Sequence, residues 1–191
     1  MTKRERDFVV KSGAVIEERD GLAMVQVSTW TDSCDATCAT IAEVIGLRPS
    51  GHNGSVAVDN QIRILWLGPA RWLIVMPRQP NRDLAAELAA RLPIATAAVV
   101  ELSAGRRIFV VSGARARDLL SKMLPIDLHP SQFPPGRCVQ SSMAHVGVLV
   151  HATEKESFEL FVYRGFARYF REVLEDAALE FGETEAEPSR H

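Results

Sequence analysis

The chain has 191 residues, 47% of them hydrophobic and 24% charged, and its formal net charge is −2 at pH 7. This size and balance are typical of a globular protein that buries a hydrophobic core without disulfide or metal staples. The weak net charge provides no field that would attract nucleic acid or an anionic membrane, so we predict neither partner.

The sequence also indicates a cellular compartment. No apolar run approaches the ~20 residues that a membrane-spanning helix needs, and the N-terminal residues MTKRERDF lack the apolar core of a signal peptide. The cysteines Cys34, Cys38 and Cys138 are odd in number, which does not suit a disulfide framework. We therefore predict a cytoplasmic protein.

The first part of the chain predicts an arm, four strands and two helices. Residues 1–20 are charged and weakly periodic, so we expect a flexible arm rather than core. Apolar runs bounded by turn residues predict strands at Leu22–Val27, Ser55–Val58, Ile62–Trp66 and Trp72–Met76. Helical periodicity predicts helices at Cys34–Leu47, capped by Asp32 or Ser33, and at Arg82–Leu92, capped by Asn81.

The second part of the chain continues in the same manner. Strands are predicted at Ala97–Leu102, Arg107–Val111 and Ser157–Tyr163, and a hairpin at Cys138–Val146 and Val148–Thr153 with Gly147 between its strands. Helices are predicted at Ala114–Leu124, capped by Ser112, and at Phe166–Phe181, with Phe166, Tyr169, Phe170 and Leu174 on its apolar face. The acidic tail, residues 182–191, is predicted to be disordered.

The order of these elements predicts an α+β fold. Each part gives a strand, a helix, a run of strands and another helix, so we expect mainly antiparallel sheets with helices grouped on one side. We predict a single globular domain over residues 21–181, made of two intertwined strand/helix halves at about residues 21–96 and 97–181.

The residues that could carry chemistry do not converge on a site. Cys34 and Cys38 share a helix face and could supply two metal ligands, but a structural zinc needs four. His145 and His151 share a strand face without a carboxylate nearby except in a charged turn. Dinucleotide, phosphate-loop, zinc-protease and serine-hydrolase motifs are missing from the sequence. We predict no catalytic, cofactor-binding or metal residue.

Aromatic and arginine side chains outside the predicted core are instead candidates for a protein interface, where both residue types are enriched. Phe133 lies in the proline-flanked segment HPSQFPPGR and is predicted to be exposed. The interface candidates are Trp30, Arg71, Trp72, Arg106, Phe133 and Arg137.

Several separated segments resemble a known family. In chain order they are LGPARWLIV, LSAGRRIFVVSGARARDLLSKMLPIDLHP, FPPGRCVQSSMAHVGVLVH and FELFVYRGFARYFREVLEDAA. They resemble the γ subunit of heterotetrameric sarcosine oxidase over about Leu65 to Ala178, and more weakly over Val25 to Ile45. That family is in turn similar to the folate-binding domain of the glycine-cleavage aminomethyltransferase.

The resemblance implies an assembly of α, β, γ and δ subunits that oxidises sarcosine to glycine. It implies FAD, FMN and NAD on the α and β subunits, zinc on the δ subunit and tetrahydrofolate as acceptor of the one-carbon unit. For this chain it implies no cofactor and no catalytic residue, and a structural role in which it packs mainly against the α subunit.

Two alternatives stay open from the sequence. The chain could be a stand-alone folate-binding protein of one-carbon transfer, or the γ subunit of a related complex that oxidises another N-methyl amino acid, such as N-methylglutamate. A relative used in iron–sulfur protein maintenance carries the motif K-G-C-[YF]-x-G-Q-E. The segment PGRCVQSSMA keeps only Gly136 and Cys138 of it, so that activity is not carried over.

Overall fold

The computed structural model describes residues 9–11, 13–52, 54, 56–59 and 61–180, and these form two antiparallel sheets and four α-helices. The strands are β1 (Val9–Lys11), β2 (Ala14–Arg19), β3 (Leu22–Thr29), β4 (Val56–Asp59), β5 (Ile62–Gly68), β6 (Arg71–Pro77), β7 (Ala97–Glu101), β8 (Arg106–Ser112), β9 (Cys138–Met143), β10 (Val146–Glu154) and β11 (Ser157–Tyr163). The helices are α1 (Cys34–Ile45), α2 (Leu84–Arg91), α3 (Ala116–Ser121) and α4 (Ala167–Leu179).

Each of the two sheets contains strands from both the N-terminal and the C-terminal part of the chain. The six-stranded sheet has the order β1-β2-β8-β11-β10-β9, and the five-stranded sheet has the order β4-β5-β6-β3-β7. The N-terminal strand β2 therefore pairs with β8 in the sheet built from the C-terminal part, while β7 pairs with β3 in the sheet built from the N-terminal part. The predicted boundary between residues 96 and 97 does not separate the two sheets.

The prediction of a flexible arm is wrong for residues 14–19. These residues form β2, which pairs with β8 along five residues and buries Ala14 and Ile16 in the core. The charged run Glu17-Glu18-Arg19 hides the alternation of this inner strand. Glu18 pairs with Arg107 and Arg171, and Arg19 pairs with Glu159, all on neighbouring elements. Residues 1–8 of the predicted arm and the predicted tail, 182–191, lie outside the described residues.

Helices cover the outer face of each sheet. Helices α1 and α2 pack on the five-stranded sheet through residues that include Ile41, Leu88, Trp72 and Ile74. Helices α3 and α4 pack on the six-stranded sheet through residues that include Leu119, Phe170, Leu174 and Phe158. The α+β fold class with mainly antiparallel sheets is thus as predicted.

The inner faces of the two sheets meet in a third apolar cluster, which we call the inter-sheet seam. Its buried residues are Met24, Leu65, Leu67, Leu73, Val75, Ile108, Cys138, Leu149 and Phe161. Two side-chain hydrogen bonds also cross between the sheets. The Cys138 thiol donates to the Trp66 carbonyl (3.4 Å), and Gln140 Nε2 donates to the Leu67 carbonyl (2.6 Å). The two sheets therefore form one continuous core.

Local capping differs from the prediction at three helices. Ser33 occupies the N-cap position of α1, but its side chain makes no capping hydrogen bond. The side chain of Asp83, not Asn81, accepts a hydrogen bond from the Ala86 amide at 3.0 Å and so caps α2. Ser112 is the last residue of β8, and α3 begins only at Ala116 after the Gly113 turn.

The hairpin between β9 and β10 reverses at Ala144 and His145, rather than around Gly147. Both turn residues have positive φ, 48° and 67°, which is the geometry that matches the twist of two-residue hairpins. Asn-Gly is the usual sequence signal for such a turn, so the sequence Ala-His does not predict one.

Candidate interaction surfaces and a buried charge cluster

Of the predicted interface residues, Trp30 lies on the most open surface. Its side chain is 71% exposed, and its Nε1 donates to the carbonyl of Ala95 at 3.2 Å, which fixes the ring against the loop before β7. Ile94 in that loop is 97% exposed. Together with Thr96 and Ala98 these residues line a shallow groove of about 250 Å³. Two large apolar side chains are therefore held at the surface.

This groove continues along a strand edge. β7 is the last strand of its sheet, so among the described residues only β3 pairs with it and its other edge is open. Ala98 and Val100 are exposed on the same face of β7. An open edge next to exposed apolar residues is a natural site for pairing with another chain. We call Trp30, Ile94, Ala98 and Val100 the Trp30 surface.

Arg71 and Arg137 are also exposed, as an interface role requires. Arg71 is the first residue of β6, directly after the turn from β5, and its Nη2 is 3.4 Å from the Leu67 carbonyl. Arg137 precedes β9 and packs next to Gly54, where a Cβ would lie 3.2 Å from the guanidinium. Both remain interface candidates.

Trp72 lies in the core. It is almost completely buried between the five-stranded sheet and its helices, and its Nε1 donates to the Ser50 carbonyl at 3.0 Å. A buried ring whose only hydrogen-bond donor already has an acceptor within the chain cannot contact another subunit. Trp72 is therefore not available as an interface residue.

The prediction that Phe133 is exposed is wrong. Its side chain is 5% exposed and its ring stacks on Phe158, with centroids 6.5 Å apart. The surrounding loop is folded back, because the Phe133 amide donates to the His129 carbonyl and Arg117 donates to the carbonyls of Leu128 and Phe133. The proline-rich composition indicates a loop but does not tell which way its aromatic ring points.

Arg106 is also buried, under Tyr163. Its guanidinium carbon lies 4.8 Å from the centre of the Tyr163 ring, a cation–π arrangement. Burial lowers the pKa of Arg106, which the neighbouring Tyr163 partly offsets. The side chain exposed to solvent at this position is therefore that of Tyr163, not that of Arg106.

An exposed aromatic stripe was missed by the sequence reasoning. Tyr163, Phe166 and Tyr169 are all about half exposed and lie three residues apart across the 3₁₀ turn that precedes α4. We expected Phe166 and Tyr169 on the buried face of the last helix. Phe170 and Leu174 are buried as predicted, together with Ala178. The buried face of α4 is therefore narrower than predicted, and Phe166 lies in the 3₁₀ turn before the helix.

Four charged or titratable side chains meet between the sheets, next to the seam. They are Arg19 of β2, Arg63 of β5, His151 of β10 and Glu159 of β11, and we call them the charge cluster. Glu159 Oε1 accepts from Arg19 Nη1 at 2.7 Å, and Glu159 Oε2 lies 3.1 Å from His151 Nδ1. The glutamate and the histidine are 1% and 2% exposed, and Arg63 is 12% exposed.

The carboxylate of Glu159 is kept ionised by its neighbours. Burial alone would raise its pKa, but the hydrogen bond from His151 and the charges of Arg63 and Arg19 outweigh burial and lower the pKa. The sequence analysis sought a carboxylate for His151 in the nearby turn. The actual partner is eight residues away and directly across the hairpin, at the His151↔Glu159 register position.

The thiols of Cys38 and Cys138 have the properties of buried apolar side chains. Burial, with the neighbouring Cys34, raises the pKa of Cys38 to about 11, and burial raises the pKa of Cys138 to about 11. Thiols of such high pKa are protonated at neutral pH and are poor nucleophiles and metal ligands.

The described ranges contain neither a metal-binding group of side chains nor a helix that could cross a membrane. There, no three or more His, Cys, Asp or Glu side chains gather in a way that could hold a metal ion. Likewise, none of the helices in the described part combines the length and apolar character needed to cross a membrane.

The linings of four surface pockets among the described residues bear on a folate role. The groove at Trp30 contains an indole ring but no carboxylate, whereas the pockets containing Asp83, Glu87 or Glu159 contain no Phe, Tyr or Trp ring. None of these four combines the carboxylate and aromatic groups that a pterin would require.

Sequence comparison places the chain among known proteins. Residues 31–180 match the family described as sarcosine oxidase, gamma subunit. The chain is 33% identical over 144 residues to sarcosine oxidase subunit gamma of Corynebacterium sp. (strain P-1), covering 75% of this chain and 70% of that protein. It is 32% identical over 171 residues to the Arthrobacter sp. subunit gamma, covering 89% and 83%.

Structural comparison agrees with this. Heterotetrameric sarcosine oxidase from Corynebacterium sp. U-96, in complex with pyrrole 2-carboxylate, contains a chain that matches with a TM-score of 0.83 and 27% identity, covering 93% of this chain and 90% of that one. The glycine cleavage system aminomethyltransferase T from Bartonella henselae matches with a TM-score of 0.61 and 14% identity, covering 86% of this chain and 46% of that one. The second match shows a shared fold.

Proposed function

The chain belongs to the sarcosine oxidase gamma subunit family, and from this premise we propose that it is a non-catalytic structural subunit of a heterotetrameric sarcosine oxidase. In this role it packs mainly against the α subunit, alongside β and δ subunits. The observation that carries the proposal is the Trp30 surface, where two large apolar side chains and an open strand edge lie exposed.

The Trp30 surface has the composition of an interface centre. Stable heteromeric contacts bury about 1,000 Å² or more, and most of their binding energy comes from a few aromatic or arginine anchors. Trp30 is fixed by its hydrogen bond to the Ala95 carbonyl, so little side-chain entropy is lost when a partner covers it. Extended backbone from the partner can pair with the open edge of β7, as in other cases of strand addition.

The chemistry is assigned to the other subunits. We propose that the FAD, FMN, NAD, tetrahydrofolate and zinc implied by the resemblance are held there. In support, Cys38 and Cys138 have raised thiol pKa values. Glu159 and His151 are committed to each other, and the four pockets lack the groups for a pterin.

We also propose a cytoplasmic location. Cys34, Cys38 and Cys138 are not joined in disulfides, which suits a reducing compartment.

Co-expression with the other three subunits tests the proposal. The double variant Trp30→Ser/Ile94→Ser should weaken association by about 2 kcal/mol or more, a roughly 30-fold loss, because both anchors are removed. The matched control is Val58→Ser, which removes a half-exposed apolar side chain from β4, the opposite edge of the same sheet. Affinity purification through a tag on this chain measures how much α subunit is recovered.

The result expected is full recovery with the wild type and Val58→Ser, and loss with the double variant. Equal recovery with all three would show that the Trp30 surface is not the interface. The isolated chain should show no flavin absorbance and no oxidation of sarcosine. Tight, stoichiometric binding of tetrahydrofolate by the isolated chain would instead favour a one-carbon transfer protein.

A further inference from the structure

Exposed aromatic rings gather where the last strand joins the last helix. Tyr163 ends β11, Phe166 ends the 3₁₀ turn that follows it, and Tyr169 lies in the first turn of α4. Their exposed fractions are 52%, 52% and 47%. Residues three apart are neighbours on a helical surface, so the three rings form one continuous stripe.

Packing of the core does not account for these rings. The apolar face of α4 is completed by Phe170 and Leu174, which are fully buried against the six-stranded sheet. The three rings of the stripe instead keep about half of their surface in water. Clustered apolar surface of this kind marks an interaction site more often than a chance exposure does.

Tyr163 is already ordered at its place in the stripe. The buried guanidinium of Arg106 stacks against its ring, with 4.8 Å between the guanidinium carbon and the ring centre. The backbone is fixed as well, because the amide of Arg164 donates to the Gly105 carbonyl at 2.8 Å. A ring that is ordered beforehand loses little side-chain entropy when a partner covers it.

The charged residues among the stripe are all arginines. Within residues 163–171 they are Arg164, Arg168 and Arg171, and Arg171 is paired with Glu18 of β2. Arg164 is exposed and takes part in no salt bridge among the described residues. Arg168 is 93% exposed and pairs with Glu172 at the surface, an exchangeable contact.

The helix dipole gives these arginines no role in folding. The N-terminal end of a helix favours acidic side chains, and the first turns of α1, α2 and α3 contain Asp35, Glu87 and Asp118. The first turn of α4 contains no acidic residue and has Arg168 there. The pair with Glu172 also has the less favourable order, with the cation nearer the N-terminus. Positive charge at this place suits a negatively charged partner better than it suits the helix.

We propose that these three rings, with Arg164 and Arg168, form a second docking surface that binds an acidic segment of another subunit. We call it the Tyr163 surface. The proposal rests on the proposed function for the existence of the complex, and it adds a contact on elements other than those of the Trp30 surface. Carboxylates of the partner segment pair with the guanidinium groups, and its apolar side chains cover the rings. Aromatic and arginine side chains together are typical of interface centres.

A polypeptide fits this surface better than a nucleic acid does. The chain has a net charge of −2, and the Tyr163 surface has two arginines rather than an extended basic face. Binding of a phosphate backbone depends on many such positive charges. A few carboxylates next to apolar side chains match two arginines beside three rings.

Carbodiimide cross-linking in the assembled complex tests the acidic character of the partner. The double variant Arg164→Lys/Arg168→Lys is co-expressed with the other three subunits, because lysine keeps the charge and carbodiimide joins its amine to a carboxylate in contact with it. We expect peptides that link position 164 or 168 to an Asp or Glu of another subunit. The control is Arg48→Lys, whose exposed arginine pairs with Asp35, so its cross-links should stay within this chain.

Hydroxyl-radical footprinting of the wild type tests the rings. Tyr163, Phe166 and Tyr169 should be oxidised at least about threefold more slowly in the complex than in the isolated chain, because a ring at an interface centre loses contact with water. Trp30 should be protected as well if the proposed function holds.

The possible failures are distinguishable. Protection of Trp30 without protection of the three rings, or a complex in which positions 164 and 168 cross-link to no other subunit, would overturn this proposal and leave the proposed function intact. Failure of the wild-type chain to recover any other subunit would overturn both. Self-association of the isolated chain through these rings, or retention of a single-stranded oligonucleotide by them, would assign the surface to a different occupant and overturn the proposal.

Discussion

The buried core and the Trp30 surface contain similar residue types in opposite environments. The large rings of Phe161 and Trp72 are almost completely buried, whereas Trp30 and Ile94 are mostly exposed. In the interior each ring is surrounded by protein and contributes to folding. On the surface the same area remains available to a partner. Substitutions inside should therefore change stability, and substitutions at the Trp30 surface should change assembly.

The largest effect on stability is expected from Phe161→Ala. Phe161 is fully buried in the inter-sheet seam, where it touches residues of both sheets. Removing the ring leaves a cavity that the two sheets cannot close, so the free energy of unfolding should fall by about 3–5 kcal/mol. Urea unfolding followed by circular dichroism measures it. A loss below about 1 kcal/mol would mean that the two sheets are not joined through the seam.

Glu159→Gln should lower the free energy of unfolding by about 3 kcal/mol. It removes the buried carboxylate that is the common counter-ion of Arg63 and Arg19. The matched control is Glu172→Gln, which breaks an exposed pair with Arg168 on α4 and should change stability by about 0.5 kcal/mol or less. If the two variants were equally stable, the charge cluster would have no more effect than a surface ion pair.

The same carboxylate should make stability depend on acid pH. The folded-state pKa of Glu159 is lowered, so its contribution is fully present above the unfolded pKa of about 4.3 and is lost as the pH falls through the folded value. The stability difference between wild type and Glu159→Gln should therefore shrink below about pH 4. Unfolding curves measured from pH 7 to pH 3 test this, and a difference that stays constant over that range would contradict it.

Gly113→Ala should destabilise the chain by about 1–3 kcal/mol. Gly113 has φ of 105°, and a Cβ there would lie 2.4 Å from the carbonyl oxygen of Gly13, at the entry to β2. Gly46→Ala is the control, since Gly46 also has positive φ but no atom within 4 Å of the added carbon. Gly46→Ala should lower the free energy of unfolding by only about 1 kcal/mol. Equal losses would show that the close approach of the two glycines does not constrain β2.

The smallest change in stability is expected at the Trp30 surface. Trp30→Ser/Ile94→Ser should alter the free energy of unfolding by about 0.5 kcal/mol or less, because neither side chain is in the core. The same variant should fail to recover the α subunit. A large loss of stability would show that these residues support the fold, and the contrast between interior and surface would then not hold.

Much of this architecture could be predicted from the sequence. The strands from Leu22 to Thr29 and from Ser157 to Tyr163, and the helices at α1 and α2, follow from apolar periodicity that agrees with their burial. The family resemblance also rests on ordered segments and is confirmed by the comparisons. These are the features that local pattern determines.

The parts that were missed depend on contacts between distant residues. The pairing of His151 with Glu159 follows from strand register, which a list of nearby residues does not give. The burial of Phe133 depends on how Arg117 draws the loop back, and the strand at residues 14–19 depends on β8 being available as its neighbour. Tertiary structure decides such positions.

Amide hydrogen–deuterium exchange in the assembled complex tests the central claim most directly. If this chain serves as a structural subunit that docks through the Trp30 surface, exchange at the amides of β7, Ala97–Glu101, should slow strongly on assembly. Exchange at the already buried β11, Ser157–Tyr163, should hardly change. Unchanged exchange at β7 in a complex that contains this chain would contradict the account.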